Sequence, residues 1–345
     1  MNKQTPKFIH ICTDEKFIDS AISLFNTADT NNHEYIIVTK KENTVYVKNE
    51  SVVKLTPLKL ILYIIKNRWL LKNKVIVLHS TPRLSKLVTL LLPRKTIVVW
   101  IGFGHDYYCY VGKTNEKFLL SCFLKRVDFF APVLGAEYKI VKDFDEGFSA
   151  KLLNWNYDVI TDFFGNKTRL DGNNILIGNS ATISNNHFDV LNKIFKIDLG
   201  LNRKVIIPLS YGSDKYKNDV IRYAESLPLD ISPLTEFIDI DKYYEILASC
   251  SHVLMNHDRQ QAYGNILMAL YFGSKVFLKE NNPLYLHLSE MGFCIFNIES
   301  VFDEINIPLG EEEKKLNERL LLKYFSRKEF VLRTKRMIEH IISGG

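Results

Sequence analysis

Residues 251–280 constrain the fold more tightly than any other stretch of this chain. Residues 252–255 form an apolar, strand-like run, and 257–261 (His-Asp-Arg-Gln-Gln) make a dense polar crossing. Ile266, Leu267, Leu270 and Tyr271 then recur at helical spacing. Gly273 suits a helix stop, and 275–278 starts a second apolar strand. A strand, a helix and a second strand in this order make a parallel βαβ unit. A helix that opens directly after a parallel strand points its first N–H groups into the crevice above the sheet, where phosphates bind. Arg259, Gln260, Gln261, Gly264 and Asn265 fall where a diphosphate could be gripped.

The same alternation recurs along the chain. Apolar runs at 8–12, 35–38, 75–78, 96–100 and 128–131 are separated mostly by helical patterns, and further runs follow at 174–178, 204–208 and 293–296. A chain of 345 residues is too long for one ordinary core. The polar segment 161–174 reads as a boundary, and 311–345 reads as one or two charged helices. The expectation is an α/β fold of GT-B type, with two Rossmann-like domains facing a cleft and a C-terminal helix crossing back to the first. Its parts would be 1–165, 166–310 and a helical segment 311–345.

Cys12, Cys109, Cys122, Cys250 and Cys294 are scattered, odd in number and without a CxxC pair. That argues for a reducing compartment and against a disulfide framework or structural zinc. The N-terminus lacks the apolar region of a signal peptide, and no run approaches the roughly 18 apolar residues of a membrane span. The expectation is a cytoplasmic protein. Residues 1–160 hold 23 Lys+Arg against 15 Asp+Glu, a net of +8, while the remainder holds 22 against 24, a net of −2. A basic first half calls for an anionic partner: nucleic acid, acidic lipid headgroups or a pyrophosphate-bearing substrate. Two helical stretches, 58–74 (LKLILYIIKNRWLLKNK) and 83–95 (RLSKLVTLLLPRK), fit either of two roles. They are core-facing helices with solvated charges, or a surface that leans on an anionic bilayer with Trp69 at headgroup level.

Four loops after strands are more polar than packing requires. In 79–82, His79 could meet a substrate on the acceptor side or cap the next helix. In 100–108, two glycines allow close backbone approach beside His105, Asp106 and aromatic rings. Asp106 or His105 could act as a base there, with Trp100 and Tyr107 on the acceptor side, or the stretch could be an ordinary tight turn. In 178–182, Asn179 and Ser180 suit phosphate contact or helix capping. In 208–212, Ser210 and Tyr211 could shape a nucleobase or phosphate pocket. Asp-x-Asp patterns at 143–145 and 239–241 lie in or before helical segments and do not make a convincing metal site. The chain lacks a Walker loop, a GxGxxG fingerprint and a GxSxG elbow, which weighs against ATPase, dehydrogenase and hydrolase chemistry.

Several of these motifs occur together in order: Ile177-Gly178-Asn179-Ser180 with Ser184-Asn185-Asn186-His187, Pro208-Leu209-Ser210-Tyr211-Gly212, Arg259-Gln260-Gln261-Ala262-Tyr263-Gly264, and Glu280-Asn281-Asn282-Pro283. Together with the Trp100–Tyr108 turn they resemble the bacterial 4-acetamido-4,6-dideoxygalactose (Fuc4NAc) transferases of enterobacterial common antigen synthesis. The resemblance spans most of the chain and is densest in the second half. It implies a GT-B enzyme on the cytoplasmic face of the inner membrane. Such an enzyme moves a sugar from a dTDP donor to an undecaprenyl-pyrophosphate-linked saccharide, of common antigen or an O-antigen. In that setting Arg259 neutralises the leaving diphosphate, aided by amides near Gln261 and Gly264 and by Asn179 and Ser180. Asp106 is the first choice of base and His105 the second, and no metal or cofactor is needed. A lipid-pyrophosphate acceptor accounts for the basic first half through the 58–74 region and makes nucleic acid an unneeded partner. The rival readings are a non-catalytic nucleotide- or saccharide-binding module and a sugar-nucleotide epimerase of the same fold.

Overall fold

The computed structural model describes residues 7–30, 32–80, 83–108, 117–158, 160, 172–200 and 202–344. Cys109, the residues 81–82 and most of the expected boundary segment 161–174 lie outside them. The chain forms two compact units, Met1–Val159 with Arg327–Gly345, and Ile160–Ser326.

The first unit is built on β1 (Phe8–Cys12), β2 (His33–Val38), β3 (Val53–Leu55), β4 (Val75–His79), β5 (Ile97–Ile101), β6 (Phe129–Ala131) and β7 (Lys151–Leu152), in the order β3-β2-β1-β4-β5-β6-β7. Every pairing is parallel. The central strands β1 and β4 are buried at all five positions, so both faces are covered, and apart from His10 and His79 their residues are apolar. The edge strands β3 and β7 were not visible in the pattern. They are two or three residues long and mostly exposed, and they exist only through pairing with a neighbour.

The second unit holds β8 (Asn174–Ile177), β9 (Val205–Pro208), β10 (Ile231–Leu234), β11 (Cys250–Met255), β12 (Lys275–Leu278) and β13 (Phe296–Asn297), again all parallel, in the order β10-β9-β8-β11-β12-β13. β10 was missed because Pro233 interrupts it, which an edge strand tolerates. β13 begins three residues later than the expected 293–296 run. The opening βαβ unit is present: Ala262, in a left-handed conformation, precedes the helix Tyr263–Phe272, and Gly273 ends it at φ +83°.

The charged C-terminal stretch forms two helices. Glu311–Phe325 packs on the helix Tyr263–Phe272 of the second unit, and Arg327–Ser343 packs on Ile18–Ala28 of the first. The expected crossing of the last helix is therefore present. It is secured by Trp155, whose buried Nε1–H donates to Thr334 Oγ1 at 2.9 Å, and by Arg327, which meets Asp158 at 3.2 Å.

Thr334→Val keeps the shape but leaves the buried indole N–H without an acceptor. It should lower stability by about 1–3 kcal/mol, and Thr334→Ser should recover most of it. Urea denaturation checks this; valine and serine variants of equal stability would show that the bond contributes nothing.

Candidate active site

In the second unit the strand order reverses at β8: β9 lies on one side and β11 on the other. Connections leave in opposite directions there and open a crevice at the C-terminal ends of the strands. Two glycines set its walls. Gly178, after β8, has φ +67°, and a Cβ on it would stand 2.6 Å from His187 Nε2. Gly212, after β9, has φ +123°, and its Cβ would stand 2.5 Å from the Ala181 backbone, with which it forms a parallel bridge. This close approach draws three loops together through a chain of side chains. Ser184 Oγ donates to Gln261 Oε1 (2.8 Å), Gln261 Nε2 to Asn179 Oδ1 (3.1 Å), and Asn179 Nδ2 to Tyr211 Oη (2.8 Å). The Tyr211 ring remains exposed.

The other predicted donor-side residues divide. Arg259 is half-buried in the loop between β11 and the following helix, and Gly264 lies in that helix's first turn. Asn265 donates to Tyr243 Oη at 3.0 Å, Gln260 is buried, and Ser210 is half-buried after β9. Ser180 is a correction. It is 1% exposed, and its Oγ is engaged by Thr182 and Asn185, so it orders its own loop instead of facing a phosphate.

Sequence reasoning assigned no role to Asn282 or His257. Asn282 Oδ1 accepts Leu284 N–H at 2.8 Å, capping the helix Pro283–Glu290, so its amide nitrogen must face the loop after β11. There it donates to His257 Nδ1 (2.7 Å) and His257 O (2.6 Å). His257 is fully buried, and burial lowers its pKa to about 4, so it stays neutral with its proton on Nε2. The signal available was the Asn-Pro pair at 282–283, a helix-start pattern.

In the first unit the order reverses between β1 and β4. Asp106, in the short helix His105–Tyr108, is 7% exposed. Its Oδ1 accepts Phe103 N–H at 2.9 Å and its Oδ2 accepts Trp100 Nε1–H at 3.1 Å, which fixes the glycine-flanked turn. Burial pushes its pKa up to about 6 against the pull of those donors. His105 is exposed beside it.

Three acceptor-side assignments need correction. Trp100 and Tyr107 are 0% exposed core residues. Trp100 stacks on Phe130 with centroids 4.3 Å apart, and the Tyr107 hydroxyl donates to Glu137. Neither ring can face a substrate. His79 neither caps a helix nor meets the crevice: it is 2% exposed, bonded to His10 at 2.9 Å and to Tyr157 Oη at 2.6 Å, with His33 next in the chain. The cause is β4 itself, an interior strand covered on both faces up to its last residue. The rings that do gather near this edge are Phe17, Phe103 and Tyr157, with Phe103 stacked on Tyr157 at 4.8 Å and 14°.

Residues 25–328 match the family model described as 4-alpha-L-fucosyltransferase, glycosyl transferase group 56. The chain belongs to that family. A glycosyltransferase from Rickettsia africae is similar in structure at a TM-score of 0.73 and 12% identity, covering 99% of this chain and 100% of its own. Anabaena Alr3699/HepE in complex with UDP and glucose follows at 0.69 and 10%, covering 98% and 100%. The lipopolysaccharide outer core galactosyltransferase WaaB in its apo form gives 0.63 and 9%, covering 97% and 99%. The fold is GT-B.

For this group 56 glycosyltransferase the two crevices offer different chemistry. The hydrogen-bonded chain at the second-unit crevice is made of a hydroxyl, two amides and a phenol: donors and dipoles without formal charge. In the first unit the buried Asp106 carboxyl has a raised pKa, which makes it a better proton acceptor than an ordinary aspartate. Raising a carboxyl pKa also has a stability consequence. The folded state holds a proton that the unfolded state releases, so this contribution is complete below about pH 4 and is lost as pH rises through about 6. The unfolding free energy of Asp106→Asn minus that of the parent should therefore increase between pH 4 and 7, when both are measured across that range. Equal slopes would show that Asp106 titrates normally.

Proposed function

We propose that this glycosyltransferase moves a Fuc4NAc-like amino-dideoxyhexose from a dTDP-sugar to an undecaprenyl-pyrophosphate-linked saccharide at the inner face of the bacterial inner membrane, in common antigen or O-antigen synthesis. The observation that carries the donor half is the convergence of Asn179, Tyr211 and Gln261, held by hydrogen bonds at the switch point of the second sheet, with Arg259 two residues before Gln261 in the same loop. Arg259 neutralises the charge that develops on the leaving diphosphate, and the first amides of the helix Tyr263–Phe272 add to it. The family description names transfer of fucose, a 6-deoxyhexose, and supports a 6-deoxy donor. Asp106, with His105 as the alternative, takes the proton of the acceptor hydroxyl. No metal is assigned a part. Asp239 is committed as the cap of the helix Ile240–Ala248, accepting Asp241 N–H at 2.9 Å, and Asp145 accepts Gly147 N–H at 2.9 Å.

The bilayer half of the proposal rests on exposed apolar residues in the first unit. Leu58, Leu62 and Ile65 stand on one side of the helix Pro57–Lys66, and Trp69 (84% exposed) and Leu70 continue it. Leu87, Leu90 and Leu91 are exposed on the helix Arg83–Leu91. Residues 51–100 contain ten Lys and Arg and no Asp or Glu. An apolar stripe set among cations suits the headgroup layer of an anionic leaflet, where each basic residue is worth about 1 kcal/mol. Among the described residues, no helix is long and apolar enough to cross a membrane.

Purified protein incubated with dTDP- and UDP-sugars, with and without lipid-linked acceptor and in the presence of EDTA, should release dTDP only when donor and acceptor are both present. Product mass should rise by one amino-dideoxyhexose. Release without acceptor, or none at all, would sink the transferase assignment in this form. Arg259→Ala should lower turnover by about 10²–10³-fold with its melting temperature kept; near-parental transfer would remove Arg259 from the mechanism. Separately, Trp69→Ser with Leu70→Ser should weaken sedimentation with anionic vesicles while leaving dTDP binding unchanged. Parental vesicle binding by that variant would place the membrane contact elsewhere.

A further inference from the structure

At the opposite edge of the second sheet from the nucleotide crevice, by the N-terminal ends of β8, β11 and β12, lies a cavity of about 360 Å³. Its lining includes Asn173, Arg203, Ser251, His252, Gly273 and Lys314. Arg203 is 95% buried, with 5% of its surface exposed. Its Nε donates to Asn173 O (2.8 Å), Nη1 to Asn306 Oδ1 (3.0 Å), and Nη2 to His252 Nδ1 (2.6 Å) and Ser251 Oγ (3.4 Å). Every one of these acceptors is neutral. His252 must be so: its Nε2 donates to Ile307 O at 3.1 Å, leaving Nδ1 as the acceptor, and burial together with Arg203 lowers its pKa to about 4.

The other nearby charges cancel. Lys275 pairs with Glu304, and Lys314 with Glu311 at 2.7 Å. Arg203 is thus a buried cation with no carboxylate against it among the described residues, and such a charge is costly to keep. A guanidinium has five N–H groups, and the four contacts above use four of them. The fifth, on Nη1, has no acceptor among the described residues, and Arg203 lines the cavity. The space holds a phosphate with several waters, at roughly 30 Å³ per water.

We propose that this cavity is an oxyanion site in which Arg203 binds a phosphoryl group, as inorganic phosphate or carried by a small metabolite. The guanidinium supplies the charge and a planar donor fork suited to phosphate oxygens, and the Ser251 hydroxyl stands beside it. The site is separate from the donor crevice and does not depend on what that crevice binds.

The 345-residue chain, titrated with sodium phosphate against chloride at constant ionic strength, should show a saturable rise in melting temperature. Parallel titrations with sugar 1-phosphates and dTMP separate free phosphate from phosphorylated metabolites. Arg203→Met should lose the response, with at least a tenfold weaker affinity. If that variant fails to fold, Ser251→Asp decides. A carboxylate beside the guanidinium supplies the missing countercharge, so the variant should melt higher than the parent in phosphate-free buffer and stop responding to phosphate, while its response to dTDP persists. Arg259→Ala should keep the phosphate response. A parent that does not respond, a Ser251→Asp variant that responds like the parent, or loss of the response in Arg259→Ala would each overturn the proposal.

Discussion

Both sheets are parallel throughout, and the other features of the molecule follow from that constraint. A parallel pair cannot be joined by a tight turn, so each connection must cross over and cover a face of the sheet. Two consequences meet at β8. Its interior becomes a run of Ile175, Leu176 and Ile177 with no exposed side, and its C-terminal end becomes one of the few places where polar groups can gather without being buried unpaired. The chain Ser184–Gln261–Asn179–Tyr211 forms where the crossovers to β9 and from β11 part. It is built from neutral dipoles that their mutual hydrogen bonds hold in fixed orientation.

This also explains what the sequence made legible. Strands buried on both faces announce themselves by continuous apolar runs, and the loops after them by polarity that packing does not need. Asn179, Tyr211 and Gln261 could be found that way although 82 residues separate the first from the last. Side-chain direction was not legible. Trp100, His79 and Ser180 sit at or just after strand ends, where a ligand would be expected, yet each turns inward. A strand alternates its faces, and what lies behind a given position depends on partners distant in sequence. For His79 those partners are His10 and Tyr157, 69 and 78 residues away. Edge strands were invisible for a related reason: β3 and β7 have no internal pattern, only a neighbour to pair with.

Asp106 shows how one carboxylate can pin a turn and also be a candidate proton acceptor. An aspartate between glycines and aromatics suggested a base. Its two oxygens in fact hold Phe103 N–H and the Trp100 indole, so the carboxyl is a structural pin as well as a candidate proton acceptor. The roles are compatible because the same burial that makes the pin effective raises the pKa. A surface aspartate would accept protons less readily at neutral pH and would fix the turn less firmly.

Charge follows the same logic of placement. The net +8 of the first 160 residues first suggested an anionic partner in general terms. Its densest block, 51–100, falls on helices whose apolar residues are left outside, so this basicity belongs to a surface and not to a catalytic pocket. Residues 160–326 of the second unit hold 17 Lys+Arg against 22 Asp+Glu, a net of −5, and in its ion pairs, Lys275–Glu304 and Lys279–Asp258 among them, each lysine meets a carboxylate. Against that balance a single buried guanidinium stands out more than a cluster of surface lysines would. Desolvation makes one unmatched charge in the interior costlier than many in water. Composition therefore pointed to the half of the molecule with the more numerous cations, while burial points to Arg203 as the one whose charge most needs a ligand to answer it.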